Sequence, residues 1–177
     1  QGSSEDGDTD ATELARSQES LPQFLHQQAL SLRLSENDRA ALYFLIESLS
    51  DDGYLEEPLQ ALATALEPDM ESEAFAELLH HFTVALHLLQ SLEPTGVGAR
   101  SLAECLQLQL QALQRLHGDA LHKGGRSGLP PEVAPRTVAV ALAICQQPLE
   151  LLARRDVRRL VQACDASDAQ VRAAIGL

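Results

Sequence analysis

The sequence predicts an all-α protein of two small helical subdomains joined at a Pro/Gly turn, and three observations carry that prediction. Leu and Ala make up roughly a third of the 177 residues, with 3% aromatics and no Trp, so the apolar content is built from helix formers. Apolar residues recur at helical spacing through most of the chain, and capping residues and Gly/Pro breaks separate those runs. At residues 92–98 a proline and two glycines divide two helical patterns of opposite charge balance. A 45% hydrophobic content is enough to bury a sizeable core.

Residues 1–19 set Glu5, Asp6, Asp8, Asp10, Glu13 and Glu19 against Arg16 with almost no apolar content. Such a segment cannot bury enough surface to offset the entropy of ordering, so it reads as a disordered acidic linker. Gln1-Gly2-Ser3 has the form of an expression scar, and the chain is expected to be a fragment.

The N-terminal subdomain is expected over 20–93. Ser20-Leu21-Pro22-Gln23 has the form of a capping box, and Leu21, Phe24, Leu25 and Leu32 follow at helical spacing. Ser35-Glu36-Asn37-Asp38 places a cap and two acids at the positive end of a second helix whose stripe is Ala41, Leu42, Leu45, Ile46 and Leu49. Gly53 is expected to stop that helix, with Tyr54 and Leu55 folding back on it. Pro58 opens a short helix through Leu66, with Leu59, Leu62 and Leu66 on one face. A longer helix spans about 72–91, with Phe75, Leu78, Leu79, Phe82, Leu86 and Leu89 as its apolar positions.

The C-terminal subdomain is expected over 94–177. Ser101-Leu102-Ala103-Glu104 reads as a capping box, and Leu102, Cys105, Leu106, Leu110, Leu113 and Leu116 form a stripe ending near Leu116. Six breaks, Gly118, Gly124, Gly125, Gly128, Pro130 and Pro131, lead to a long mobile loop at 117–135. Helix resumes over about 136–146, Pro148 begins a short turn through Arg154, Asp156 starts another piece, and Ser167 caps a last helix still running at Leu177.

Charge excludes some functions. The formal net charge is -13, so a phosphate backbone would repel this chain and a basic protein surface is the better match. Residues 36–93 carry thirteen acids and one base, Arg39, whereas 94–177 carry seven acids and ten bases. Three cysteines, an odd number, argue against a disulfide framework and for a cytoplasmic location, and no apolar run is long enough to span a bilayer.

Few constellations carry chemistry. The glycines at 96 and 98 lack the Lys of a Walker loop and the third glycine and strand of a dinucleotide site, which favours a turn needing positive φ. His80, His81 and His87 share a helix without zincin spacing or a Cys pair, so solvated or interfacial histidines outweigh a metal site. Cys105, Cys145 and Cys164 lie in apolar stripes, where packing is favoured over nucleophilic catalysis. Arg154, Arg155, Arg158 and Arg159 are expected to form one cationic helix edge. It is either a solvated face paired with Glu150 and Asp156 or a contact for nucleic acid or an acidic partner. Neither a catalytic pair nor a cofactor or metal motif emerges, and the chain is expected not to be an enzyme.

The 19-residue stretch from Leu92 to Leu110, LEPTGVGARSLAECLQLQL, closely resembles the hallmark segment of the bacterial enhancer-dependent (nitrogen-type, sigma-54) RNA polymerase sigma factors. Leu25 with Gln27 and Gln28, the Asp51-Asp52-Gly53-Tyr54-Leu55 turn, and the run from Leu149 to Asp156 are similar to the same family in the same order. The resemblance covers about residues 18–177 and implies the core-binding domain of such a factor, docking on the β flap and β′ subunit of core RNA polymerase. It implies promoter DNA only within the full holoenzyme, no membrane and no small-molecule substrate. The family's activator-responsive region would precede residue 1 and its promoter-reading helix-turn-helix would follow residue 177. The polymerase-binding residues it points to are Pro94, Gly96, Val97, Gly98, Arg100, Ser101, Glu104 and Gln107. Among them Arg100 is the expected polar anchor, and Leu102 and Leu106 are expected to pack internally. Arg100→Ala or Gly96→Val is expected to weaken polymerase binding with helical content retained. The alternative is a DNA-contacting module using Arg154, Arg155, Arg158 and Arg159.

Overall fold

The computed structural model describes residues 19–122 and 134–177, and every regular element among them is a helix. In order these are α1 (Leu21–Leu30), α2 (Glu36–Glu47), α3 (Leu59–Leu66), α4 (Glu73–Gln90), α5 (Leu102–His122), α6 (Pro135–Cys145), α7 (Leu149–Ala153), α8 (Val157–Cys164) and α9 (Asp168–Ile175). The expected linker at 1–19 lies, apart from Glu19, outside the described residues.

The starts follow local chemistry. Ser20 and Ser167 each close a full capping box, with Gln23 and Gln170 returning the bond. Ser35 and Ser72 accept from the N–H three residues on, at 3.2 and 3.0 Å. Pro58 and Pro148 stand at the N-caps of α3 and α7.

Two compact units are present. The first holds α1–α4, on the described residues up to Gly53 and on Glu57–Leu92. In it α4 packs along α2, α3 on α4 and α1 on α2. Leu25, Leu42, Leu45, Ile46, Phe82 and Leu89 are essentially inaccessible, each removing about 1.5–3 kcal/mol worth of apolar surface from water. Phe44 stacks on Phe82, ring centroids 5.3 Å apart.

The second unit holds Tyr54–Glu56 and Glu93–Leu177. Here α6 packs against α5 and α9, and α8 against α9. The core is Leu110, Val138, Val140, Ile144, Leu160 and Val171, with Leu106 and Leu113 packed partly buried on it.

Several expectations are corrected. Helix α2 ends at Glu47, where Ser48 caps it through its N–H and its Oγ bonds the Phe44 carbonyl at 2.7 Å. Gly53 sits further on at φ +83°, closing a turn onto the Ser50 carbonyl at 2.9 Å. Leu55, expected to fold back on α2, is buried and donates its N–H to the Ala99 carbonyl at 3.0 Å within the second unit. Helix α5 continues to His122, so the loop expected from 117 is helical over its first six positions, while 123–133 lie outside the described residues. Gly118 has open space around it, and an exposed glycine costs about 1 kcal/mol against alanine, too little to end a 21-residue helix. Helix α9 stops at Ile175, with Gly176 as C-cap, rather than running on.

Candidate functional site

The turn between α4 and α5 is shaped by backbone geometry. Glu93–Pro94 is cis, Gly96 has φ +99° and Gly98 φ +78°. Both glycines lie in the left-handed half of φ, which other residues rarely adopt, and this is the requirement the spacing suggested. The N–H of Val97 reaches the Pro94 carbonyl at 3.1 Å and that of Ala99 the Gly96 carbonyl at 3.3 Å. Val97 and Ala99 are buried, whereas Pro94, Arg100 and Ser101 are exposed.

Gly96 also lies against α5. A Cβ built on it would stand 2.7 Å from Cys105 Sγ and 3.4 Å from Gln109 Nε2, so the close approach needs a residue without a side chain. This contact crosses sequence distance and left no mark in the motif beyond the glycine itself.

The polar residues of the motif hold one another. Ser101 Oγ accepts from the Glu104 N–H at 3.2 Å, which forms the serine half of the expected box. Glu104 Oε2 accepts from Arg100 Nη2 at 2.8 Å and from its Nε at 3.1 Å. That bond raises the Arg100 guanidinium above its ordinary value. Arg100 therefore folds onto the first turn of α5 with its side chain 55% exposed, its outer face available to a partner. Gln107 Nε2 donates to the Cys145 carbonyl at 3.3 Å and so joins α5 to the last residue of α6. Leu106 packs on the core as expected, but Leu102 is 55% exposed, because the first turn of α5 precedes the part covered by α6.

The arginine cluster is not one helix edge. Arg154 is the C-cap of α7, Arg155 has φ +51°, Asp156 is the N-cap of α8, and Arg158 and Arg159 lie on its first turn. Asp156 breaks the helix by taking the Arg159 N–H at 3.3 Å, and its other oxygen meets Arg159 Nε at 3.6 Å. All four arginines are exposed.

The histidines divide. His81 Nδ1 meets Asp38 Oδ1 at 2.8 Å, linking α4 to the first turn of α2. The bond from His81, then that from Ser35, holds the Asp38 carboxyl below its usual range. No group of three or more potential metal ligands occurs among the described residues. Cys145 is buried and Cys164 half-buried, and burial pushes both thiols up, as expected for packing cysteines. No helix among the described residues is long and apolar enough to cross a membrane.

These features define an all-helical module whose distinguishing site is a glycine-shaped turn braced on the following helix. Residues 10–177 match the family described as sigma-54 factor, core binding domain, and the chain belongs to that family. It is similar to the RNA polymerase sigma-54 factor of Pseudomonas aeruginosa (strain UCBPP-PA14), 33% identical over 175 residues that cover 99% of this chain and 31% of that protein. The RNA polymerase sigma-54 factor of Xanthomonas euvesicatoria is 36% identical over 179 residues, 99% of this chain and 32% of that protein. That of Bacillus subtilis (strain 168) is 41% identical over 102 residues, 57% of this chain and 21% of that protein. The chain thus spans about a third or less of the length of these relatives.

Proposed function

We propose that this chain is the module through which a sigma-54 type transcription initiation factor attaches to core RNA polymerase. The observation that carries the reading is the match to a core binding domain over residues 10–177. In this reading the acidic first unit docks on basic and apolar surfaces of the β flap and β′ subunit. The glycine turn at 93–98 is braced on the first turns of α5, and Arg100, held by Glu104, offers its exposed face to the polymerase. The chain works by binding, with no cofactor and no catalytic step. The thirteen acids against one base in 36–93 support a basic partner.

The test is a pull-down on purified core polymerase and on its isolated β flap with wild type and Arg100→Ala. Binding by the wild type that weakens in the variant supports the reading; equal binding removes Arg100 from the contact, and no binding by either removes the function. The exposure of Arg154, Arg155, Arg158 and Arg159 favours a second reading, a contact to promoter DNA. Binding of isolated duplex DNA with a steep salt dependence would support it.

A further inference from the structure

The first unit carries an open groove along the face where α2 and α4 pack side by side. Phe44 and Phe82, stacked with planes 10° apart, line it together with Leu78. Ala40 and Ala74 keep it open, and its volume is about 420 Å³, room for bulky apolar side chains. Leu66 at the end of α3 also lines it and remains 55% exposed. Carboxylates prevail around it: Glu77 is in the wall, Glu36 flanks the lining Asn37, Glu67 follows Leu66 and Glu73 precedes Ala74, while His81, also in the wall, meets Asp38 at 2.8 Å. The single Lys or Arg on 36–82, Arg39, donates to the Leu32 carbonyl at 3.3 Å.

We infer that this groove seats a basic amphipathic helix of the polymerase, with apolar side chains entering against Phe44, Leu66 and Leu78 and flanking Lys or Arg side chains meeting the acidic border. The inference rests on the proposed function and assigns it a surface. An apolar trough between two helices suits anchors at i, i+3 or i+4 and i+7 of an incoming helix. A nucleic acid would bring phosphates to this acidic border and is repelled.

The test titrates core RNA polymerase with the full 177-residue chain, as wild type, Ala40→Arg and Ala74→Arg, with thermal melting of each. Both alanines are exposed, so the added arginine fills the groove and offsets part of its negative charge without entering the core. The dissociation constant is expected to rise about tenfold or more at unchanged Tm. A photo-crosslinker at Leu66 is expected to join a Lys- or Arg-bearing helix of the polymerase, and this readout decides if a variant melts early. Unchanged affinity in both folded variants overturns the groove while leaving the proposed function standing. Cross-linking to a second copy, to nucleic acid or to a segment without Lys and Arg also overturns it. A wild type that does not bind overturns both.

Discussion

Replacing Gly96 with alanine adds one Cβ where the backbone and the neighbouring helix both resist it. Holding a non-glycine residue at φ +99° costs on the order of 1–3 kcal/mol. The new atom would stand 2.7 Å from Cys105 Sγ, which must turn away. That displacement adds about 1 kcal/mol, the low end of overpacking, because only one rotatable atom moves. The sum is about 2–4 kcal/mol, and at roughly 2–4 °C per kcal/mol the Tm falls by about 4–16 °C. The assay is thermal unfolding followed by far-ultraviolet circular dichroism for Gly96→Ala, Cys105→Ala and the double variant. Removing Sγ relieves the overlap only, so Gly96→Ala in the Cys105→Ala background still costs about 1–3 kcal/mol. A Gly96→Ala chain that melts with wild type, or a Cys105→Ala background that abolishes the whole cost, refutes the reasoning. Gly96→Val, bulkier still, is expected to lose stability before it reports on binding, which changes its use as a binding probe.

The Asp38 carboxyl, held low chiefly by His81, contributes stability that is complete above its unfolded value of about 3.9 and is lost as pH falls through the lower folded value. In His81→Ala the midpoint of the Asp38 carboxyl in an NMR titration moves up; an unmoved midpoint contradicts the link. Arg100→Ala removes an exposed i, i+4 pair and should lower stability by no more than about 0.5 kcal/mol in denaturant unfolding, so a larger loss would show a structural role beyond the pair. Because burial raises the Cys145 thiol and the thiolate is the nucleophile, iodoacetamide at neutral pH should label Cys145 only in denaturant. Rapid labelling of the folded chain would contradict its packing.

What was legible in the sequence was local chemistry. Ser20 with Gln23 and Ser167 with Gln170 announce capping boxes within four residues, and both form. Ser72 and Ser91 bound α4 as its apolar spacing suggests. The all-helical class follows from such signals, since most of the helices carry their own capping residue and apolar stripe. What depends on distant partners was not legible. Leu102 and Leu116 continue the stripe of α5 yet are 55% and 61% exposed, because exposure is set by where neighbouring helices lie. Gln107 looks like a surface glutamine until the Cys145 carbonyl is brought within 3.3 Å. The arginine spacing suits a helix edge, but Asp156 is a strong N-cap and divides it. In the turn, the need for positive φ at Gly96 could be read from the motif, whereas its approach to Cys105 could not.

The most direct measurement is an equilibrium titration of purified core RNA polymerase with the 177-residue chain, followed by competition with an intact sigma-54 factor. Saturable binding that the intact factor displaces is the predicted result. Absence of binding, or binding that the intact factor leaves untouched, would contradict the assignment of this chain as the polymerase-attachment module.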